Sequence, residues 1–186
     1  MKVYTYNDKV LVNSANDKWL KKYVDPYNPL GLPANTVRVR TSDGNAPEKL
    51  VAMASYETAT LVPGTTDVYD VYKSGNSFEN LLCYSRNVIE ILGANTTGIT
   101  NMNYMLYACN LTTIPLFDTS KVTSMSYMFY DCTNVESGAL AFYQQVSTQA
   151  TPPRNHTETF HSCGSNTVTG AAELAQIPSS WGGTAS

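Results

Sequence analysis

Four residues near the C-terminus have the side chains of a metal site: His156, Glu158, His161 and Cys163. Zinc takes imidazole, thiolate and carboxylate ligands. The H-x4-H-x-C spacing matches no common zinc site, however, and Cys163 also fits a repeated core position described below. Asp118-Thr119-Ser120 and Asn95-Thr96-Thr97 offer hydroxyls beside polar neighbours. A Ser-His-Asp nucleophile would have to draw on His156 or His161, and nothing in the sequence orients either ring. Both triplets read better as turns, where Asp, Asn, Ser and Thr side chains cap backbone groups. No P-loop, dinucleotide fingerprint, nucleophile elbow or HExxH pattern occurs. The expectation is therefore a protein that is not an enzyme, with no catalytic residue, metal or cofactor. The remaining candidates are four tyrosines, Tyr104, Tyr107, Tyr127 and Tyr130, as a binding surface. Tyrosine buries much area at low entropy cost and keeps a polar tip.

These tyrosines belong to a repeated unit that has to position them. Ile99-Thr100-Asn101-Met102-Asn103-Tyr104-Met105-Leu106-Tyr107-Ala108-Cys109 returns 23 residues later as Val122-Thr123-Ser124-Met125-Ser126-Tyr127-Met128-Phe129-Tyr130-Asp131-Cys132. Fixed apolar positions at a short period mark stacked units, each too small to bury its own face. At the same offset, Leu111 falls on Val88, Tyr107 on Tyr84 and Met105 on Leu82, so a worn unit begins near Phe78. Later, Thr159-Phe160-His161-Ser162-Cys163 echoes Met128-Phe129-Tyr130-Asp131-Cys132 after a longer interval. The inserted residues Ala139, Leu140, Phe142, Tyr143 and Val146 form an apolar stripe at helical spacing, stopped by Pro152-Pro153. A second short helix is expected to open at Gly170, with Glu173 in its first turn, and to close before Pro178.

The repeats resemble the BspA-like leucine-rich repeats of bacterial surface proteins. Met125-x-x-Met128-Phe129-x-x-Cys132 and the run Leu111-x-x-Ile114-Pro115-x-Phe117-Asp118-Thr119-Ser120-x-Val122-Thr123 carry the resemblance. The first copy departs from it with Leu106 where Phe is usual. The resemblance covers roughly residues 78–135. It implies an α/β chain built as a short leucine-rich-repeat-like solenoid, with a β-rich N-terminal cap and a helical C-terminal cap. It further implies one short parallel strand per unit, here Leu111 to Leu116 beside Val88 to Gly93.

The rest of the chain then divides into an arm or docking segment at 1–33, a small β-rich cap at 34–75, the repeats at 76–136 and a C-terminal cap at 137–186. Thr36-Val37-Arg38-Val39-Arg40 alternates as a half-buried strand does. Thr58 to Val62 and Val68 to Tyr72 are further strands across Pro63-Gly64. Val3 to Tyr6 and Lys9 to Val12 suit a hairpin around Asn7-Asp8, and Asp17 to Tyr23 a short helix. Three prolines between Asp25 and Pro33 make a stiff connector. It either wraps a neighbouring subunit or lies on its own domain.

Composition narrows the function. Charged residues make up 15% of the 186 and the net charge is −3, with no basic run, which disfavours nucleic acid. No stretch approaches a membrane span. Four cysteines invite a disulfide reading, but Cys109 and Cys132 hold equivalent places and should point the same way. Parallel directions give a poor bridge dihedral, so buried thiols are expected. The functional expectation is a non-enzymatic binding or adhesion module. Met1 to Lys9 lack the apolar core of a secretory signal, which conflicts with the cell-surface home the resemblance implies. A phage virion protein (decoration, head fibre or tail fibre) removes that conflict. A bacterial cell-surface adhesin or protein-interaction domain is the alternative, and an accessory domain of a carbohydrate-active enzyme the second. The expected partners are virion or surface assembly proteins, a host surface glycan or protein, and a second copy in a homo-oligomer.

Overall fold

Alternation in Thr36-Val37-Arg38-Val39-Arg40-Thr41 does what a two-residue period requires of a half-buried strand. Val37 and Val39 are fully buried, while Arg38 and Arg40 reach the other face. In the computed structural model, which describes residues 3–6, 9–12, 25, 27–49 and 53–185, this segment is β3 (Thr36–Thr41). Before it, β1 (Val3–Tyr6) and β2 (Lys9–Val12) pair antiparallel, as expected, with Val3 opposite Val12. The turn at Asn7-Asp8 and the helix expected at Asp17 to Tyr23 lie outside the described residues.

Three more strands complete a sheet around β3. They are β4 (Thr58–Leu61), β5 (Val68–Tyr72) and β6 (Val88–Asn95), and the order β4-β5-β3-β6 is antiparallel throughout. One face carries cross-strand charge pairs. Arg38 sits opposite Asp70 and holds it with two bonds, at 2.7 and 2.8 Å. Arg40 sits opposite Glu90 and reaches it at 3.3 Å. Such pairs contribute at most about 1 kcal/mol each. They mainly fix register, since a slip by one residue would turn Val37 and Val39 out of the core.

The other face joins a single apolar core that runs from Val37, Val39 and Val71 through Phe78, Leu82, Met105 and Met128 to Phe142, Phe160 and Trp181. The Pro-rich connector also meets the sheet. Leu32 is buried, its carbonyl accepts a bond from the Asn95 side chain at 2.8 Å, and Leu30 packs over Gly93. Residues 28–33 thus lie on the chain's own sheet.

Two helices follow. The expected stripe forms α1 (Ala139–Ser147), with Ala139, Phe142 and Val146 buried. The second helix, α2 (Val168–Leu174), starts two residues before the expected Gly170. Thr167 caps it by accepting a bond from the Gly170 N–H at 3.0 Å, which places Glu173 in the last turn rather than the first.

The leucine-rich-repeat-like solenoid expected from the sequence does not form. The architecture is a four-stranded antiparallel sheet with two short helices, mostly β and irregular. Leu111 to Leu116 is not a strand. Pro115 has no N–H to give to a ladder, and the segment's hydrogen bonds to Val88–Asn95 come from Thr112, whose N–H and hydroxyl both donate to the Ile89 carbonyl, at 3.1 and 3.4 Å. β6 takes β3 as its antiparallel partner along its other edge. The repeats survive as successive turns linked by isolated parallel bridges, Ser77 to Asn101, Asn101 to Ser124 and Ser124 to Asn155.

Candidate functional site

Each turn of the repeat splits its residues by position. Met102, Met105, Leu106 and Cys109 are buried, as are Met125, Met128, Phe129 and Cys132. Tyr104, Tyr107, Tyr127 and Tyr130 between them stay half-exposed. Backbone bonds tie the turns together in register. The N–H groups of Met102, Tyr104, Leu106 and Ala108 bond the carbonyls of Ser124, Ser126, Met128 and Tyr130 at 2.8–3.0 Å. Those of Met125, Tyr127, Phe129 and Asp131 bond Asn155, Thr157, Thr159 and His161 in the same way, at 2.8–3.0 Å.

Matched bonds show which residues are equivalent. Leu82 N–H bonds the Met105 carbonyl as Leu106 N–H bonds that of Met128. Leu82 therefore corresponds to Leu106, and Leu81 to Met105. The first unit is shifted by one residue from the alignment the 23-residue offset suggested. Ser85, not Cys83, takes the cysteine position. The last unit follows the sequence reading, with His161 in the place of Tyr130 and Cys163 in that of Cys132.

Register of this kind stacks the rings. Tyr104 and Tyr127 lie 4.8 Å apart and 8° from parallel. Tyr107 and Tyr130 lie 4.9 Å apart and 1° from parallel. His161 extends the second column, 4.6 Å from Tyr130 at 11°. Tilted contacts of 5.8 Å join Tyr104 to Tyr107 and Tyr127 to Tyr130. All four tyrosines singled out by sequence thus come together in one aromatic patch. Tyr84 closes its other end, 5.1 Å from Tyr107.

The backbone beneath is strained at fixed places. Asn80, Tyr104, Tyr127 and Glu158 have φ of 57°, 56°, 61° and 53°, and Tyr84, Ala108, Asp131 and Ser162 repeat the feature four residues on. Left-handed geometry at a non-glycine residue costs on the order of 1–2 kcal/mol. It persists where surrounding bonds over-determine it, and the bonds between turns do so here. With no glycine at these positions, sequence reasoning had no signal for them.

The patch is electrostatically one-sided. Burial raises the phenol of Tyr107, and Tyr84 raises it further. Burial likewise raises Tyr104 and Tyr130. Carboxylates of Glu79, Asp131 and Glu158 add to these shifts, so the rim is acidic. The raised phenols of Tyr104, Tyr107 and Tyr130 favour the neutral form, so these three present rings and hydroxyls rather than charge.

The metal-like quartet is dispersed. His156 stacks on Trp181 at 4.0 Å, and its Nδ1 lies 3.2 Å from the Ser180 carbonyl oxygen. Glu158 Oε2 meets His161 Nδ1 at 2.6 Å. Cys163 is sealed in the core. Among the described residues no three His, Cys, Asp or Glu side chains converge on a common point, and no helix is long and apolar enough to cross a membrane. All four cysteines are free and buried. Sγ of Cys109 donates to the Leu82 carbonyl and Sγ of Cys132 to that of Leu106, both at 3.1 Å. The triplets Asn95-Thr96-Thr97 and Asp118-Thr119-Ser120 act as turns, with Asn95 Oδ1 accepting from Thr97 N–H at 3.2 Å and Asp118 Oδ1 from Ser120 N–H at 3.0 Å.

No curated protein and no solved structure gives a significant match to the chain. A family described as "Mycoplasma protein of unknown function, DUF285" matches residues 66–163. That span runs from two residues before β5 to Cys163 and contains both tyrosine columns. It is just over half of the 186 residues, and the chain belongs to this family.

Proposed function

We propose that this protein is a non-enzymatic recognition module whose tyrosine columns form the contact surface. The observation that carries the reading is the parallel stacking of Tyr104 on Tyr127 and of Tyr107 on Tyr130 in a half-exposed patch. Stacking fixes the rings before a partner arrives, so little rotamer entropy is lost on binding. The acidic rim of Glu79, Asp131 and Glu158 favours a neutral or basic partner and opposes a polyanion. The resemblance of the M-x-x-M-F-x-x-C units to BspA-like surface repeats points the same way, toward adhesion at a cell surface.

Quadruple substitution of Tyr104, Tyr107, Tyr127 and Tyr130 by Ala tests this. Beads coated with the intact chain should adhere to bacterial cells or to arrayed glycans and proteins. Beads coated with the variant, its fold checked by circular dichroism, should not. Undiminished adhesion by a folded quadruple variant would rule the patch out.

A further inference from the structure

Removing one electron and one proton from a phenol leaves a phenoxyl radical. Its spin is spread over the oxygen, the ortho carbons and the para carbon. Tyrosine carries its backbone at the para carbon, so two such radicals join through ortho carbons. The bond forms between p orbitals that stand perpendicular to each ring. Rings that lie face to face and parallel aim those orbitals at each other.

Two pairs of rings meet that condition. Tyr107 and Tyr130 lie 4.9 Å apart at 1°, and Tyr104 and Tyr127 lie 4.8 Å apart at 8°. Backbone bonds between the turns hold both pairs in register, so each radical has a partner beside it without diffusion. Tilted contacts of 5.8 Å connect the two columns, and Tyr84 joins Tyr107 at 5.1 Å. An oxidising equivalent that enters at one ring therefore reaches the others by short steps. Among the described residues, every contact between tyrosine rings lies in this patch.

Exposure selects the same residues. All four rings are half-exposed, which admits an oxidant and lets released protons pass to water. The competing oxidisable groups of these turns, Met102, Met105, Cys109, Met125, Met128 and Cys132, are buried.

We propose that the tyrosine columns, independently of any recognition role, are a site of oxidative cross-linking at which Tyr107 couples to Tyr130 and Tyr104 to Tyr127. The co-reactant is a one-electron oxidant, such as a peroxidase acting with hydrogen peroxide. Each phenol of a pair gives one electron to the oxidant and one proton to water. The two ortho carbons form a carbon–carbon bond, and the hydrogen on each moves to its own ring's oxygen, which restores both aromatic rings. The pair has lost two hydrogen atoms and become dityrosine, a covalent staple between successive turns.

Illumination of the dilute intact chain with a ruthenium tris-bipyridine complex, with persulfate as terminal electron acceptor, tests the assignment. The product should run as a monomer on a denaturing gel, show dityrosine fluorescence and have lost two hydrogens per bond in intact mass. Proteolytic cleavage after Lys121, which separates the two turns in sequence, should leave them joined. The same treatment in urea, where the rings no longer stack, should give at least about tenfold less intrachain product. Tyr127→Phe/Tyr130→Phe keeps every ring but leaves each stacked phenol facing a ring that forms no phenoxyl. Its intrachain yield should fall by a similar factor. Tyr72→Phe, exposed and outside the patch, should leave the yield unchanged. Equal yield in urea and in native buffer, equal yield from the double variant, or linkage only between chains or within one turn would overturn the proposal. Oxidation of the native chain without dityrosine would do the same. Coupling needs no binding partner, so its failure would leave the adhesion test standing.

Discussion

The rings of Tyr107 and Tyr130 lie 4.9 Å apart and only 1° from parallel, although 23 residues separate them in the chain. The Ala108 N–H on the Tyr130 carbonyl, at 2.8 Å, sets that spacing from below. The ring separation is thus the separation of two hydrogen-bonded backbones, transmitted through equal side chains in equal conformations. The columns consequently act as a stability element.

Tyr107→Ala should lower stability by about 1–3 kcal/mol, from lost stacking and lost area. Tyr107→Phe keeps the ring and should cost well under half of that. Urea unfolding of both variants measures the difference. Equal losses would assign the effect to the hydroxyl and not to the stack.

Alkaline titration should separate the patch from the other tyrosines. Burial raises the phenols of Tyr104, Tyr107 and Tyr130 above the ordinary 10.0, because it disfavours the anion. The neutral form is then favoured in the folded state. Its contribution to stability is fully present below pH 10 and is lost as pH rises through the raised folded values. The tyrosinate absorbance of the native chain should be the same with and without Tyr107→Phe near pH 10, and should differ by about half a phenol in urea, where the unfolded side chain is half ionised at that pH. A native difference at that pH would place Tyr107 in ordinary solvent.

The thiols should be silent in the folded protein. Burial pushes Cys83 up to about 11 and Cys132 up to about 12, and raises Cys109 and Cys163 as well. The thiolate is the reactive form, and all four sulfurs lie within the core. A thiol reagent at mildly alkaline pH should label none of the four in native buffer and all four in denaturant. Rapid labelling of any one in native buffer would show that its turn opens.

One helix is capped by the other. α1 has Gly138 before it and no side-chain cap of its own. The Glu173 carboxylate from α2 accepts from the N–H groups of Gly138 and Leu140, at 3.3 and 3.0 Å. Glu173→Ala should cost about 1–2 kcal/mol, more than an ordinary surface change. Glu173→Gln should recover part of it, since an amide oxygen still accepts but carries no charge toward the helix dipole. Thermal unfolding reads both. An Ala variant as stable as the parent would mean that solvent caps α1 equally well.

Gly138 also shows why the turn before α1 tolerates only glycine. Its φ is 97°, and a Cβ there would stand 2.1 Å from the Ile114 carbonyl oxygen. The sequence marks this position only as one glycine among eleven. The close approach depends on a segment more than twenty residues earlier.

The sequence by itself determined what local periodicity can carry. The 23-residue period marked the recurring Met, Tyr and Cys positions as equivalent, and the structure buries Met102, Met105, Met125 and Met128 while the four tyrosines stay half-exposed. Two-residue alternation placed β3, and a helical stripe placed α1. Each is a property of neighbouring residues, whose directions follow from the backbone geometry of a few consecutive peptides. The choice of partners belonged to the tertiary structure. That Val88–Asn95 would pair with Thr36–Thr41, across about fifty residues of chain, shows only in the folded sheet. Tertiary structure likewise seated His161 on Tyr130 across an interval that included α1, shifted the first unit by one residue, and brought Glu173 to the start of the other helix. Such contacts bear the entropy of closing long loops. They form only where the whole core rewards them, and no short window of sequence contains that sum.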